Sequence, residues 1–303
     1  MSSGKFSQVV DLACLLIVGL VSALLGLVIP AFRRGFFCDD ESIKYPYLSK
    51  ETFPTWALLL VSVVVPVVTI IICEVGRYYQ SDKNIRGENY EDADESGMCG
   101  PYTKKPLFQR LYKITSVFMF GALVNLLFTL ASKTYLGELR PHFLAVCKPN
   151  MSLVDCSQGY VTNYECTGKD FAAIEKARSS FPSGHASCSM YGMLFLVLFF
   201  ETLPARDRGS FLKPFIQSGC MILSMIVGLS RITDHMHHWY DVLAGFILGG
   251  FMAIYVAVKV LKLFQESQQT STGNMHRETL KSSSDNCELF LHSPDRLIPA
   301  TPC

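Results

Sequence analysis

Charged side chains are scarce in this chain. Only 17% of its 303 residues are Asp, Glu, Lys or Arg, whereas soluble proteins carry about 25%. Hydrophobic residues make up 50%, and the mean hydropathy is +0.27. The formal net charge of +1 shows no excess of basic residues of the kind typical of nucleic-acid-binding proteins, so no nucleic-acid partner is predicted. The composition argues against a soluble protein and for one that lies in a membrane.

Long apolar runs account for the missing charge. Crossing the hydrocarbon core of a bilayer takes roughly 20 apolar residues, and six such runs occur, at about residues 9–30, 55–73, 114–132, 186–203, 215–229 and 242–263. No small-residue cleavage site follows the first run, which is therefore predicted to be a retained helix rather than a signal peptide. The runs predict an all-α, polytopic membrane domain of six transmembrane helices over residues 1–264.

Two polar stretches lie outside these runs. Residues 265–303 are rich in Ser and Thr and lack apolar periodicity, so they are predicted to be a disordered cytosolic tail. The acidic residues 81–100 are predicted to form a solvated loop.

An even number of helices places both termini on one side of the membrane. Lys and Arg are more numerous on that side, which by the positive-inside rule predicts cytosolic termini. The opposite side carries a glycosylation sequon at Asn150-Met151-Ser152. It also carries four cysteines that can form two disulfides in an oxidising compartment, with a pairing that the sequence leaves open: Cys38, Cys147, Cys156 and Cys166.

Three short polar segments lie at the ends of the apolar runs. They read Lys133-x6-Arg140-Pro141, Pro182-Ser183-Gly184-His185 and Ser230-Arg231-x5-His237-x3-Asp241. Lys133 ends the third run, His185 opens the fourth, Arg231 follows the fifth and Asp241 precedes the sixth. With six spans, these ends all face the side opposite the termini, so the three segments are predicted to form one site there.

The residue types of these segments fit phosphoryl transfer. Lys133, Arg140 and Arg231 are cations that can stabilise phosphoryl oxygens in place of a metal ion. Ser183 suits the N-cap of the fourth helix. Gly184 lets the backbone N–H groups at the start of that helix approach an anion.

The two histidines add acid, base and nucleophile chemistry. If residues 237–241 are helical, Asp241 shares a face with His237 and can fix its tautomer, which leaves the other ring nitrogen as a nucleophile. The histidine-rich stretch at residues 234–238 also resembles a zinc site. The nearby cations disfavour that interpretation, so neither a metal nor a cofactor is predicted. His142 and His235 receive no role.

Together the three segments match the signature of the type 2 phosphatidic acid phosphatases at every position. Residues 35–47 and 140–144 resemble the animal branch of that family, the lipid phosphate phosphatases, and the resemblance covers about residues 8–263. It implies that His237 becomes a phosphohistidine with the help of Asp241, and that His185 protonates the leaving alkoxide. It also implies a phosphate site made by Lys133, Arg140, Ser183, Gly184 and Arg231.

The resemblance also implies the biology of the protein. Its substrates would be phosphatidate, lysophosphatidate, sphingosine 1-phosphate and ceramide 1-phosphate. Its location would be the plasma membrane or a related membrane, with homo-oligomers expected. Alternatives are a glucose-6-phosphatase, which six rather than nine spans disfavour, a polyprenyl-diphosphate phosphatase, and a non-enzymatic scaffold that binds lipid phosphates.

Overall fold

The structure, a computed structural model, describes residues 2–88, 107–150, 152, 154–203 and 211–262. The chain divides into two compact units, Met1–Leu261 and Lys262–Cys303. The first unit contains the apolar helices. The predicted tail at residues 265–303 lies outside the described residues.

Helices dominate the described part of the chain. In chain order its elements are α1 (Ser2–Leu27), β1 (Phe36–Phe37), α2 (Thr55–Leu59), α3 (Val65–Glu88), α4 (Leu107–Leu136), α5 (Phe143–Cys147), β2 (Tyr160–Val161), α6 (Phe171–Ala177), α7 (Gly184–Glu201), α8 (Leu212–Thr233) and α9 (Trp239–Tyr255). Short 3-10 turns lie at Glu41–Ile43 and Cys156–Gln158, and π turns at Leu60–Val64 and Val256–Val260. The two strands pair antiparallel, with Phe36 opposite Val161.

Six of the described helical segments are long and apolar enough to cross a membrane, which confirms the predicted fold class. The segments are Gln8–Leu27, Thr55–Gln80, Leu107–Leu136, Gly184–Glu201, Leu212–Thr233 and Trp239–Val260. Several helices extend beyond their apolar runs, because polar residues outside the hydrocarbon can continue a helix. The predicted loop at residues 81–100 is wrong in its first part, since α3 continues to Glu88.

The second span is interrupted near Pro66. Proline has no N–H group and cannot complete the helical hydrogen bond to the residue four positions earlier, which here is Ser62. The π turn at Leu60–Val64 lies immediately before Pro66 in the same span. Helix α7 approaches this turn closely, because a Cβ atom at Gly192 would overlap the Ser62 carbonyl.

Helix α7 lies at the centre of the bundle. In the 18-residue apolar stretch of α7, 56% of the residues are buried, whereas in that of α1 only 6% are. Small residues let α9 pack closely against it, as a Cβ atom at Gly245 would crowd Ser183 and one at Gly249 would overlap the Ser187 carbonyl. Close backbone approach through small residues is typical of membrane helices. The start of α7 is therefore fixed beside the start of α9.

Two disulfides stabilise the extramembrane loops on the α7 N-terminal side, one between two loops and one within the loop between α4 and α7. Cys38 pairs with Cys156, and Cys147 pairs with Cys166. A small apolar core lies between the loops and is formed by Phe36, Ile43, Leu139, Phe143, Cys147 and Ala177. The loop after α1 is thereby fixed to the loop between α4 and α7.

Candidate active site

The three polar segments meet at one end of the bundle, as predicted. Lys133, in the last turn of α4, donates from Nζ to the carbonyl oxygens of Ser179 and Ser180 at 2.7 and 3.0 Å. Arg140 approaches the same Ser179 oxygen at 3.5 Å and is 6% exposed. The hydroxyl of Ser180 donates to the Asp241 carboxylate of the third segment at 2.5 Å. The backbone before α7 is therefore the place where the first segment joins the other two.

Residues 237–241 are not one helical stretch, so the condition under which His237 and Asp241 would share a helical face is not met. His237 lies in the turn before α9, and Asp241 lies in the first turn of that helix. The Asp241 carboxylate accepts the backbone N–H of His238 at 2.9 Å, a capping contact that fixes its position. Its Oδ2 atom lies 3.5 Å from Nδ1 of His237.

Ser180 bridges this pair. Its hydroxyl donates to Oδ2 of Asp241 at 2.5 Å and lies 3.3 Å from Nδ1 of His237. Both oxygen atoms lie on the Nδ1 side of the imidazole, so Ser180 and Asp241 can orient it together. All three side chains are buried. Sequence reasoning missed Ser180, since a serine near a turn carries no distinguishing signal.

The segment at residues 182–185 forms the start of α7. Ser183 is the N-cap, and its hydroxyl accepts the N–H of Ala186 at 3.4 Å. Its own backbone N–H donates to the Asp241 carbonyl at 2.9 Å. Gly184 is the first helical residue, as its proposed anion-binding role requires. These contacts bring the start of α7 against the start of α9.

His185 is held by a residue that the sequence did not indicate. Its Nε2 atom lies 3.1 Å from the carbonyl oxygen of Phe53. A carbonyl can only accept, so Nε2 carries the hydrogen in this contact. Phe53 belongs to the loop before α2, far from the three segments in sequence.

Arg231 lies inside the last turn of α8 rather than after it, and it is 1% exposed. Its guanidinium donates to Asp234 at 2.5 Å and to Glu51 at 3.1 Å. Thr52 donates to the same Asp234 carboxylate from its backbone N–H at 2.8 Å and from its hydroxyl at 2.7 Å. Glu51, Thr52 and Phe53 thus each contact the site, and we call them the 51–53 segment.

Burial lowers the pKa of two site residues. It lowers the pKa of His237 well below its usual value, and the charges of Arg140 and Lys133 lower it further, while Asp241 opposes the shift. The imidazole is therefore neutral near pH 7, as a nucleophile must be. Burial also lowers the pKa of Arg140, to about 10, so that its guanidinium remains positive.

The histidines without a predicted role have structural partners. Nδ1 of His142 donates to the carbonyl of His235 at 2.8 Å, and burial lowers the pKa of His142 to about 4. The His235 ring lies 4.8 Å from that of Tyr45. Among the residues that the structure describes, no three His, Cys, Asp or Glu side chains are grouped to hold a metal ion.

Comparisons with known proteins identify the family of the chain. The sequence profile of the PAP2 superfamily matches residues 114–265, which include all three polar segments. The chain belongs to the PAP2 superfamily. The chain is 38% identical to Phospholipid phosphatase 1 of Mus musculus over 257 residues, which is 85% of each chain. This similarity confirms the resemblance to animal lipid phosphate phosphatases.

More distant relatives in the PAP2 superfamily have similar names. Phospholipid phosphatase 2 of Mus musculus is 35% identical, over 84% of this chain and 86% of the relative. A putative phosphatidate phosphatase of Drosophila melanogaster is 32% identical, over 84% of this chain and 69% of the relative. No solved structure gives a significant match.

Proposed function

We propose that the protein is an integral-membrane phosphatase that hydrolyses lipid phosphate monoesters through a phosphohistidine at His237. The observation that carries this proposal is the position of His237, whose Nδ1 faces Ser180 and Asp241 beside buried cations. Membership of the PAP2 superfamily and the similarity to phospholipid phosphatases support the lipid class.

The reaction has two displacements at phosphorus. Nε2 of His237 attacks, the P–N bond forms, and the P–O bond to the lipid alkoxide breaks while His185 supplies a proton to that oxygen. His185 then takes a proton from water, whose oxygen attacks phosphorus and breaks the P–N bond. Inorganic phosphate and free His237 result, and His185 has regained the proton that it gave to the lipid alkoxide.

Lys133, Arg140 and Arg231 are proposed to hold the phosphoryl oxygens. Arg140 retains a buried Nε–H without a hydrogen-bond partner among the described residues, a donor that an anion would satisfy. Ser183 and Gly184 are proposed to add donors at the start of α7.

Because side chains supply the positive charge, activity should not require a divalent ion. Phosphate release by the purified protein should persist in excess EDTA, and vanadate should inhibit it as a mimic of the pentacoordinate transition state. Activity that EDTA abolishes and that only added magnesium or zinc restores would contradict the metal-free mechanism.

The lipid specificity follows from the position of the site. It lies at the ends of apolar helices, so a phosphate on a lipid can reach it while the acyl chain stays in the bilayer. If the protein binds mainly the phosphate group, it should tolerate different lipid backbones. Phosphatidate, lysophosphatidate, sphingosine 1-phosphate and ceramide 1-phosphate should then all be substrates. Glycerol 3-phosphate, which does not partition into membranes, should be a poor substrate.

One experiment tests both the activity and the nucleophile. Phosphate release is measured for these four lipids, glycerol 3-phosphate, glucose 6-phosphate and a polyprenyl diphosphate, with wild type, His237→Ala and, as a matched control, His276→Ala. His237→Ala should lose several powers of ten in rate, and the control should match wild type. Release by folded His237→Ala near the wild-type rate would refute the nucleophile. Absence of release from every lipid by wild type would favour a non-enzymatic scaffold.

A further inference from the structure

The Glu51 carboxylate lies among the cations of the proposed phosphate site. One of its oxygens is 3.1 Å from the Arg231 guanidinium, and the other is 2.8 Å from Nζ of Lys176. The side chain of Arg231 is 1% exposed, that of Glu51 is 19% exposed and that of Lys176 is 53% exposed. Glu51 therefore connects the buried interior of the site with its open edge.

Arg231 has a second carboxylate partner, and the two partners are held differently. Asp234 accepts from Arg231 and also twice from Thr52, so its position is fixed by three hydrogen bonds. Glu51 has only Arg231 and the exposed Lys176 as ion-pair partners among the described residues. If one carboxylate leaves Arg231, it is Glu51, because Asp234 would lose more contacts.

The negative charge of Glu51 also influences the pKa of Arg140, a second cation of the proposed phosphate site. Burial lowers the pKa of Arg140, and the charge of Glu51 is the largest influence that opposes this shift. Burial raises the pKa of Glu51 itself, but its pairs with Lys176 and Arg231 outweigh that effect, so the net pKa is lowered and the group is ionised near pH 7. An internal carboxylate therefore lies 3.1 Å from the Arg231 guanidinium, and its charge also acts on Arg140.

We propose that Glu51 occupies the phosphate position on Arg231 in the empty site, and that the phosphate of a substrate displaces it toward Lys176. The proposal rests on the proposed function, because it takes Arg231 as a phosphate ligand. It makes Glu51 a positioning residue: it keeps Arg231 oriented without substrate and returns to it as phosphate leaves. Glu51 then weakens the binding of every phosphate-bearing ligand, product included.

The test compares full-length wild type with Glu51→Gln, which keeps the shape of the side chain and removes its charge. The matched control is Glu41→Gln, in the same loop, whose side chain is 83% exposed and pairs with Lys44. Binding of radiolabelled inorganic phosphate is measured by equilibrium dialysis in detergent micelles, and KM and kcat are measured with lysophosphatidate.

Glu51→Gln should bind inorganic phosphate at least about tenfold more tightly than wild type, because phosphate no longer competes with a charged partner of Arg231. Its KM should fall, and its kcat should stay equal or fall as product release slows. Glu41→Gln should match wild type. Unchanged or weaker phosphate binding by Glu51→Gln would overturn the inference and show that Glu51 only supports Arg231.

Two further measurements keep the outcomes distinct. If Glu51→Gln lacks cooperative unfolding, Glu51→Ala decides instead, because it also removes the carboxylate from Arg231. Tighter phosphate binding by Glu51→Ala supports the inference, and unchanged or weaker binding overturns it. Binding of phosphate is independent of turnover. A wild type that binds phosphate without hydrolysing lipids would therefore refute the proposed function, and the Glu51 comparison would still give its own answer.

Discussion

At the scale of single residues, Ser180 connects parts of the site that are distant in sequence. Its carbonyl accepts Lys133 from α4, and its hydroxyl donates to Asp241 of α9. It also lies within 3.3 Å of the proposed nucleophile, His237. One buried residue therefore contacts a site cation, the carboxylate and the proposed nucleophile.

Ser180→Ala should lower kcat about 10- to 100-fold with little change in KM, because His237 and the Asp241 carboxylate lose the hydroxyl between them. The measurement is steady-state hydrolysis of lysophosphatidate. Ser179→Ala is the matched control, since the Ser179 hydroxyl contacts only the Lys176 carbonyl among the described residues. A Ser180→Ala protein with wild-type kcat would show that Asp241 orients His237 alone.

The residues that sequence reasoning could identify are the ones that are rare in their surroundings. Lys133, Arg140 and Arg231 stand out because a cation beside an apolar run needs a reason to be there. The 51–53 segment could not be found in this way. Phe53 acts through its backbone carbonyl, which any residue has, and Glu51 lies among other loop acids whose partners only the fold determines.

At the scale of elements, the existence of the six helices followed from the apolar runs, but their contacts did not. Apolar length says nothing about which helix lies at the centre, and α7 is no more apolar than its neighbours. Its position depends on close packing at glycines, such as Gly249 against the Ser187 carbonyl. The ends of the helices were also misjudged, because the capping contacts that place Arg231 and Asp241 inside α8 and α9 involve polar residues.

Gly249→Ala should destabilise the bundle by about 1–3 kcal/mol, because its Cβ atom would overlap backbone rather than a movable side chain. Gly250→Ala is the adjacent control, since its Cβ atom would meet only Leu194 and Met190 side chains, at 3.8 Å. Thermal unfolding in detergent should show a lower midpoint for Gly249→Ala alone. Equal midpoints for the two variants would mean that α7 and α9 can separate without cost.

At the scale of the whole molecule, we propose that the active site faces the extracytoplasmic side and that both termini lie in the cytosol, while location in the plasma membrane stays a prediction. Asn150 lies exposed in the loop between α4 and α7, on the same face as the site. Formation of homo-oligomers stays a prediction. The two disulfides agree with an oxidising environment for this face.

In a glycosylating cell, glycosidase treatment should increase the gel mobility of the wild type, and Asn150→Gln or Ser152→Ala should abolish that change. Glu165→Thr creates a second sequon at Asn163 in the same loop and should add a further glycan. Absence of glycan from both wild type and Glu165→Thr, with labelling of this loop from the cytosol, would reverse the proposed orientation.

The 51–53 segment also bears on where the functional unit of the chain begins. The superfamily profile starts at residue 114, and a fragment cut there would contain every signature residue. It would lack the 51–53 segment, whose three residues contact His185, Asp234 and Arg231. It would also lack Cys38, the disulfide partner of Cys156. We therefore predict that the smallest active fragment includes the first extramembrane loop, so that a complete set of motifs would not by itself define a complete enzyme.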